Sequence, residues 1–205
     1  SAGVLAESAE EGPACRPFDL RRCGTVLGEG AGVLILEAED HAARRGARPR
    51  AEVEGYGLVC EAFSMIRPDP EGAGVAAAAS AALEGPPPAG IDWIKSHGTG
   101  TRANDAAECN GLARLWGEGL RSTPITSLKP ALGHCLGASA AVEAVATVLA
   151  MEQGFIPATL GTEELDPELP PCRIVTGIEA AHARHVLMLA ESFGGRCAAL
   201  RLGRA

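Results

Sequence analysis

Aromatic residues make up only 3% of the 205 residues, and lysine occurs just twice, at Lys95 and Lys129, against sixteen arginines. So few rings exclude a base-stacking platform. A formal net charge of −8 and a pI near 5.2 exclude a nucleic-acid binder at the level of the whole chain. No apolar run reaches the ~20 residues that span a bilayer, so no membrane partner is expected. The seven cysteines (Cys15, Cys23, Cys60, Cys109, Cys135, Cys172 and Cys197) contain no CxxC pair and no regular spacing. Scattered among Ala, Val and Leu, they read as reduced, mostly buried thiols of a cytoplasmic protein, without a disulfide framework or a metal site. The chain also starts at Ser1 with neither Met nor a basic leader, which reads as an abrupt beginning.

What is present is a globular balance, 46% hydrophobic and 21% charged, over a length sufficient for one core. Residues 1–15 read as an irregular or helical lead-in. Gly24 to Gly32 is glycine-rich, and Val33-Leu34-Ile35-Leu36 resembles a strand buried on both faces. Strands are expected over 51–59, 91–96, 124–127, 173–176, 185–191 and 197–202. Helices are expected over 38–45, 73–84 (stopped by Pro86-Pro87-Pro88), 105–116 and 137–153, the last buried nearly all round. Alternating strands and helices imply an α/β sheet covered on both faces.

Two turns carry chemistry. Ser96-His97-Gly98-Thr99-Gly100-Thr101 places a histidine at a strand end, with glycines that allow close approach and threonines that offer hydroxyls. Ser127-Leu128-Lys129-Pro130-Ala131-Leu132-Gly133-His134 places another just before an apolar helix, whose free N–H groups favour negative charge. Two such histidines can converge on one carbonyl oxygen. His41, His182 and His185 lack this frame and read as surface or structural. Cys135 sits where a helix start could activate a thiol. Its side chain points about 100° away from that of neighbouring His134, so it reads as a packing residue.

These turns resemble the β-ketoacyl-acyl-carrier-protein synthases, the ketosynthases of type II fatty-acid and polyketide systems, in the thiolase-like superfamily. The matching residues are Arg16-Pro17-Phe18-Asp19, Gly28-Glu29-Gly30-Ala31-Gly32, the turn from His97 to Thr101, Asn104-Asp105, Glu108, Lys129, Gly133-His134 and Phe193-Gly194-Gly195. The resemblance implies the C-terminal half of a layered αβαβα architecture with mixed sheets, completed by an N-terminal half on another chain. Residues 1–60 would close the N-terminal half and form the crossover, and 61–205 would form the C-terminal half. None of the seven cysteines matches the family nucleophile, which would come from that N-terminal portion.

By resemblance, His97 and His134 hold the malonyl-type thioester carbonyl and stabilise the enolate formed as carbon dioxide leaves. Lys129 pairs with Glu108 to fix their turn. Thr99, Thr101, Phe193 and Gly194 lie along the substrate and pantetheine path, with Phe193 as a gate, and Arg16 is a contact for the acyl carrier protein. The phosphopantetheine arrives on that carrier, and no further cofactor is implied. The assembly would be a homodimer or heterodimer, and the break before Ser1 could be self-cleavage, proteolysis or a split gene. A non-catalytic partner resembling the chain-length factors is the alternative. Two departures stand out: Lys95 replaces a usual Asn, and Leu189-Ala190-Glu191-Ser192-Phe193-Gly194-Gly195-Arg196-Cys197 replaces the usual Asn-Ser-Phe-Gly-Phe-Gly-Gly-Thr-Asn run. Several relatives hold a structural cation there. Lys95 is expected to substitute for it by pairing with Glu143.

Overall fold

The β-rich segments pair into one mixed six-stranded sheet in the computed structural model, which describes residues 4–6, 14–83 and 90–205. Its strands are β1 (Ala51–Cys60), β2 (Trp93–Lys95), β3 (Pro124–Thr126), β5 (Arg173–Ile174), β7 (His185–Ser192) and β8 (Arg196–Arg204), in the order β1-β8-β7-β2-β3-β5. The β7–β8 hairpin and the β1–β8 pair are antiparallel, whereas β7, β2, β3 and β5 run parallel. A small second sheet joins β4 (Phe155–Ile156) to β6 (Glu179–Ala180). Because β1 pairs along its length with β8, the sheet runs across the expected boundary after residue 60.

Each sheet face buries its own cluster. Alternation along β7 sends Leu187 and Leu189 to one face, where α2 (Ala73–Ala82) and α3 (Arg102–Trp116) contribute Val75, Ala78, Leu112 and Trp116. Val186 and Met188 go to the other face, against Ala144 and Met151 of α5 (Ser139–Gln153). Two short helices, α1 (Glu39–Arg44) and α4 (Lys129–Leu132), complete the α-helices among the described residues. The Pro86-Pro87-Pro88 stop and Ser1 lie outside the described residues.

Two expectations are corrected. Residues 33–36 form no strand and are not buried, since Val33, Ile35 and Leu36 are 79%, 85% and 78% exposed. Apolarity marks a surface that wants a partner, and no described residue pairs with this segment. Nor is α5 buried all round. Its buried residues Ser139, Glu143, Ala144, Thr147, Ala150 and Met151 repeat at helical spacing along one stripe, the remainder being more open. A 3-10 turn over Leu136–Ala138 precedes it, so the α-helix begins two residues later than expected.

Candidate active site

Both histidine turns lie at the carboxyl ends of parallel strands. β2 ends at Lys95, and Ser96 to Gly100 then turn into α3, whose N-cap Thr101 accepts a hydrogen bond from the Asn104 amide at 3.3 Å. This turn needs glycine. Gly98 has φ +41°, and a Cβ there would sit 2.6 Å from the Ser127 Cβ. α3 reaches back to hold it, since the Glu108 carboxylate accepts from the amides of His97 at 2.5 Å and Gly98 at 2.8 Å. Asp105 accepts from the amides of Phe18 at 2.9 Å and Gly100 at 3.2 Å.

β3 ends at Thr126 and leads into α4 and Gly133, which at φ +72° crosses directly over Gly28. His134 follows, its amide donating to the Val26 carbonyl at 2.7 Å. Ser127 ties the two turns together by donating from its Oγ to the Gly98 carbonyl at 2.7 Å.

The imidazoles of His97 and His134 meet with ring centroids 5.4 Å apart and planes at 83°. Their partners settle their tautomers. His97 Nδ1 lies 3.3 Å from the Lys129 ammonium, which can only donate, so Nδ1 accepts and Nε2 carries the proton. His134 Nδ1 accepts from the Leu136 amide at 3.3 Å and lies 2.8 Å from Ser139 Oγ, which again leaves the proton on Nε2. Burial, then the Lys129 and Lys95 charges, hold His97 well below its ordinary value. Burial, then Lys129, lowers His134 to about 4. Two neutral rings therefore present N–H edges, which suit a developing oxyanion.

Behind them lies a buried charge cluster. Glu143 on α5 receives the Lys95 ammonium on one carboxylate oxygen and the Lys129 ammonium on the other, the latter at 2.8 Å. Lys95 also donates to the Leu189 carbonyl at 3.1 Å, and Lys129 to the His97 carbonyl at 2.6 Å. Burial would raise the Glu143 carboxyl, but the two ammoniums outweigh it and hold it below its ordinary value. Burial pushes Glu108 up to about 7 and Asp105 up to about 6, against the amides that favour their charged forms.

The expected Lys95–Glu143 contact is present, but the Lys129–Glu108 pair is not. Both oxygens of Glu108 are taken by backbone amides, and Lys129 turns to Glu143 instead. Glu108 still fixes the turn, by a different route.

A cavity of about 920 Å³ opens over this machinery, lined among others by His97, His134, Thr99, Thr101, Glu191 and Phe193. Thr99 and Thr101 hydroxyls lie 3.0 Å apart on its wall. Phe193 is 64% exposed at the β7–β8 turn, beside Gly194 at φ +85°. Arg16 lies away from the cavity lining, half-buried, with its backbone against Gly100. The Cys135 thiol lies 3.9 Å from the carbonyls of Leu132 and Gly133. His185 pairs with Glu54 at 2.8 Å and His41 with Glu37 at 2.5 Å, both remote from the cavity lining.

Sequence reasoning missed Ser139, Ser127 and Asp105 as supports. A serine five residues after a motif histidine, at a helix start, was the available signal for the first.

A mixed sheet between helical layers, with two histidine turns at its strand ends, defines the thiolase-like ketosynthase class. The sequence family described as beta-ketoacyl synthase, C-terminal domain, matches residues 50–163, and the chain belongs to that family. Nodulation protein E of Rhizobium sp. (strain N33) is 44% identical over 154 residues, covering 75% of this chain and 38% of that protein. The structure of a type II polyketide synthase acyl carrier protein in complex with its ketosynthase, bound to a hexaketide, matches with TM-score 0.91 and 31% identity, covering 99% of this chain and 51% of that one. The ishigamide ketosynthase/chain length factor matches with TM-score 0.86 and 38% identity, covering 99% and 49%. The chain thus spans about half the length, or less, of these relatives. Among the described residues, no helix is long and apolar enough to cross a membrane.

Proposed function

We propose that this chain supplies the decarboxylation half of a ketosynthase active site, in polyketide or specialised fatty-acid synthesis. The observation that carries the reading is the pair of neutral imidazoles, each with Nδ1 engaged from behind and Nε2–H left for the cavity. A malonyl-type thioester would place its carbonyl oxygen between them. Carbon dioxide leaves, the electron pair of the broken C–C bond forms the enolate, and the two N–H donors stabilise its oxygen. The enolate carbon then attacks an acyl thioester, and the sulfur of a cysteine nucleophile departs as thiolate. That cysteine would come from the N-terminal half of the ketosynthase.

The remaining residues have supporting roles. Glu108 and Lys129 position the His97 turn. Thr99 and Thr101 would receive the phosphopantetheine arm, delivered by an acyl carrier protein, with Arg16 among the contacts to that protein. Phe193 and Gly194, at a hairpin turn on the cavity rim, would gate acyl entry. The Lys95 ammonium on Glu143 would stand in for the structural cation of other family members. No resident cofactor is proposed, and the complete enzyme would be a homodimer or heterodimer.

The test uses the assembled enzyme. His97→Ala and His134→Ala should abolish condensation while acylation of the cysteine stays measurable, and condensation by both variants would exclude these roles. Likeness to a ketosynthase/chain length factor pair also favours a second reading, a non-catalytic partner. That reading predicts no decarboxylation attributable to this chain, and full activity in both variants.

A further inference from the structure

The cavity lining holds two acidic groups that the proposed chemistry does not use, Glu61, which accepts from the Asp69 amide at 3.0 Å, and Glu191. Glu191 is on β7, directly opposite Cys197 of β8. Alternation places it on the face of Leu187 and Leu189, so a stripe that is apolar through the core ends in a carboxyl at the cavity wall. Its Oε1 is shut off from solvent and has no hydrogen-bond partner among the described residues. A polar atom in that position costs free energy unless something satisfies it, so it marks a place where a partner belongs.

The surroundings say what kind of partner. The buried lysines Lys95 and Lys129 are already bound to Glu143, and the arginines of the cavity lining, Arg67, Arg102 and Arg196, form no ion pair with Glu191 among the described residues. Three acidic groups, Glu108, Glu61 and Asp105, repel a charge on Glu191 and Lys129 attracts it less, while the Cys197 thiol donates to Glu61 at 3.9 Å. Burial first, then the repulsion from Glu108, Glu61 and Asp105, favours the uncharged acid far above the ordinary carboxyl range. A neutral carboxyl both donates and accepts one hydrogen bond, and so complements a hydroxyl or a carbonyl better than a cation or a hydrocarbon.

We propose that Glu191 is a specificity-determining residue, hydrogen-bonding an oxygen function carried on the acyl chain, so that the cavity selects an oxygenated over a saturated chain. The inference rests on the ketosynthase reading for its substrate class. Discrimination has a physical basis in the incompletely paired carboxyl, because a saturated chain would leave it so, while an oxygenated chain would bond the part of the half-buried side chain that lines the cavity and would reach Oε1 on rotation of the carboxyl.

The experiment uses the assembled enzyme and acyl thioesters of one length, with a single hydroxyl walked along an otherwise saturated chain. Condensation is followed as kcat/KM, and binding is measured in parallel with the corresponding non-reactive pantetheine amides. One hydroxyl position should be favoured about tenfold over the saturated chain. Glu191→Leu should erase that ratio, and Glu191→Gln, which keeps a donor and an acceptor, should retain most of it. Equal binding across the series, or a preference that survives Glu191→Leu, would overturn the inference. Preferential binding that depends on Glu191, without any condensation, would uphold it while removing the ketosynthase reading.

Discussion

The two histidine turns reach the same chemical result from opposite kinds of support. His97 is buried, and everything that holds it comes from far along the chain: Glu108 from α3, Lys129 from α4, and through Lys129 the Glu143 carboxylate of α5. His134 is half-buried, and its ring is held by its own neighbourhood, the Leu136 amide and Ser139 Oγ. The first ring is therefore exposed to remote substitution, whereas the second ring is held by its own turn, although the backbone of that turn is pinned to Val26 and Gly28. A site whose two donors depend on different supports can lose one without losing the other. The contrast can be tested group by group in the assembled protein.

The largest effect should come from Glu143→Leu. It leaves the Lys95 and Lys129 ammoniums without their shared counter-ion, and both are fully buried. Breaking a buried ion pair from one side costs about 3–5 kcal/mol. Denaturant unfolding should show a loss of that size, and a loss below about 1 kcal/mol would mean the cluster is hydrated and does not brace His97. Lys95→Met should cost less, because Glu143 keeps Lys129.

Next is Glu108→Ala, which strips the acceptors from two buried amides. Each unpaired group costs about 1–3 kcal/mol. Hydrogen exchange should speed up at the amides of His97 and Gly98 while the His134 amide, which donates to Val26, keeps its protection. Equal loss of protection in both turns would break the comparison.

The helix, strand and histidine positions were legible because they rest on local pattern: period-two alternation in β1, helical spacing in α3, and glycines framing each histidine. Glu143 was legible only through the resemblance, which matches it to the glutamate that helps hold a structural cation in several relatives. What stayed hidden was how its charge is divided. A carboxylate has two oxygens, and no pattern in the chain says that one Glu serves two lysines while Glu108 goes to backbone amides. The segment 33–36 misled for a related reason. Its apolarity is local, but whether a strand is paired and buried depends on neighbours that may be distant in sequence, and no described residue supplies them.

A third, smaller test uses pH. His134 has its folded value lowered to about 4 from an ordinary 6.5. The unfolded chain therefore binds the extra proton first, and stability rises with pH wherever it does so. The contribution is complete above 6.5 and is lost as pH falls from there through about 4. Protonation must also displace the Leu136 amide from Nδ1, so the ring edge that faces the cavity changes its setting in the same interval. NMR titration of the two rings should show His134 titrating near 4 and His97 displaced well below its ordinary value, by burial first and then by the Lys129 charge against its Nδ1. A His134 midpoint near 6.5 would mean that the ring is hydrated and its partners do not select the neutral form.

The smallest effect belongs to Ser139→Ala. Ser139 Oγ is a neutral partner of His134 Nδ1, and the Leu136 amide remains when it is removed. A single neutral hydrogen bond contributes about 1 kcal/mol. The substitution should leave overall stability within about that margin, raise the His134 midpoint slightly, and loosen the His134 ring alone. His97 should be untouched, since neither Lys129 nor Glu108 contacts Ser139 through any hydrogen bond described for them. If Ser139→Ala instead shifts the His97 titration as strongly as that of His134, the two rings share one support, transmitted along α5 from Ser139 to Glu143 one helical turn away, and the separate support of the His134 ring fails.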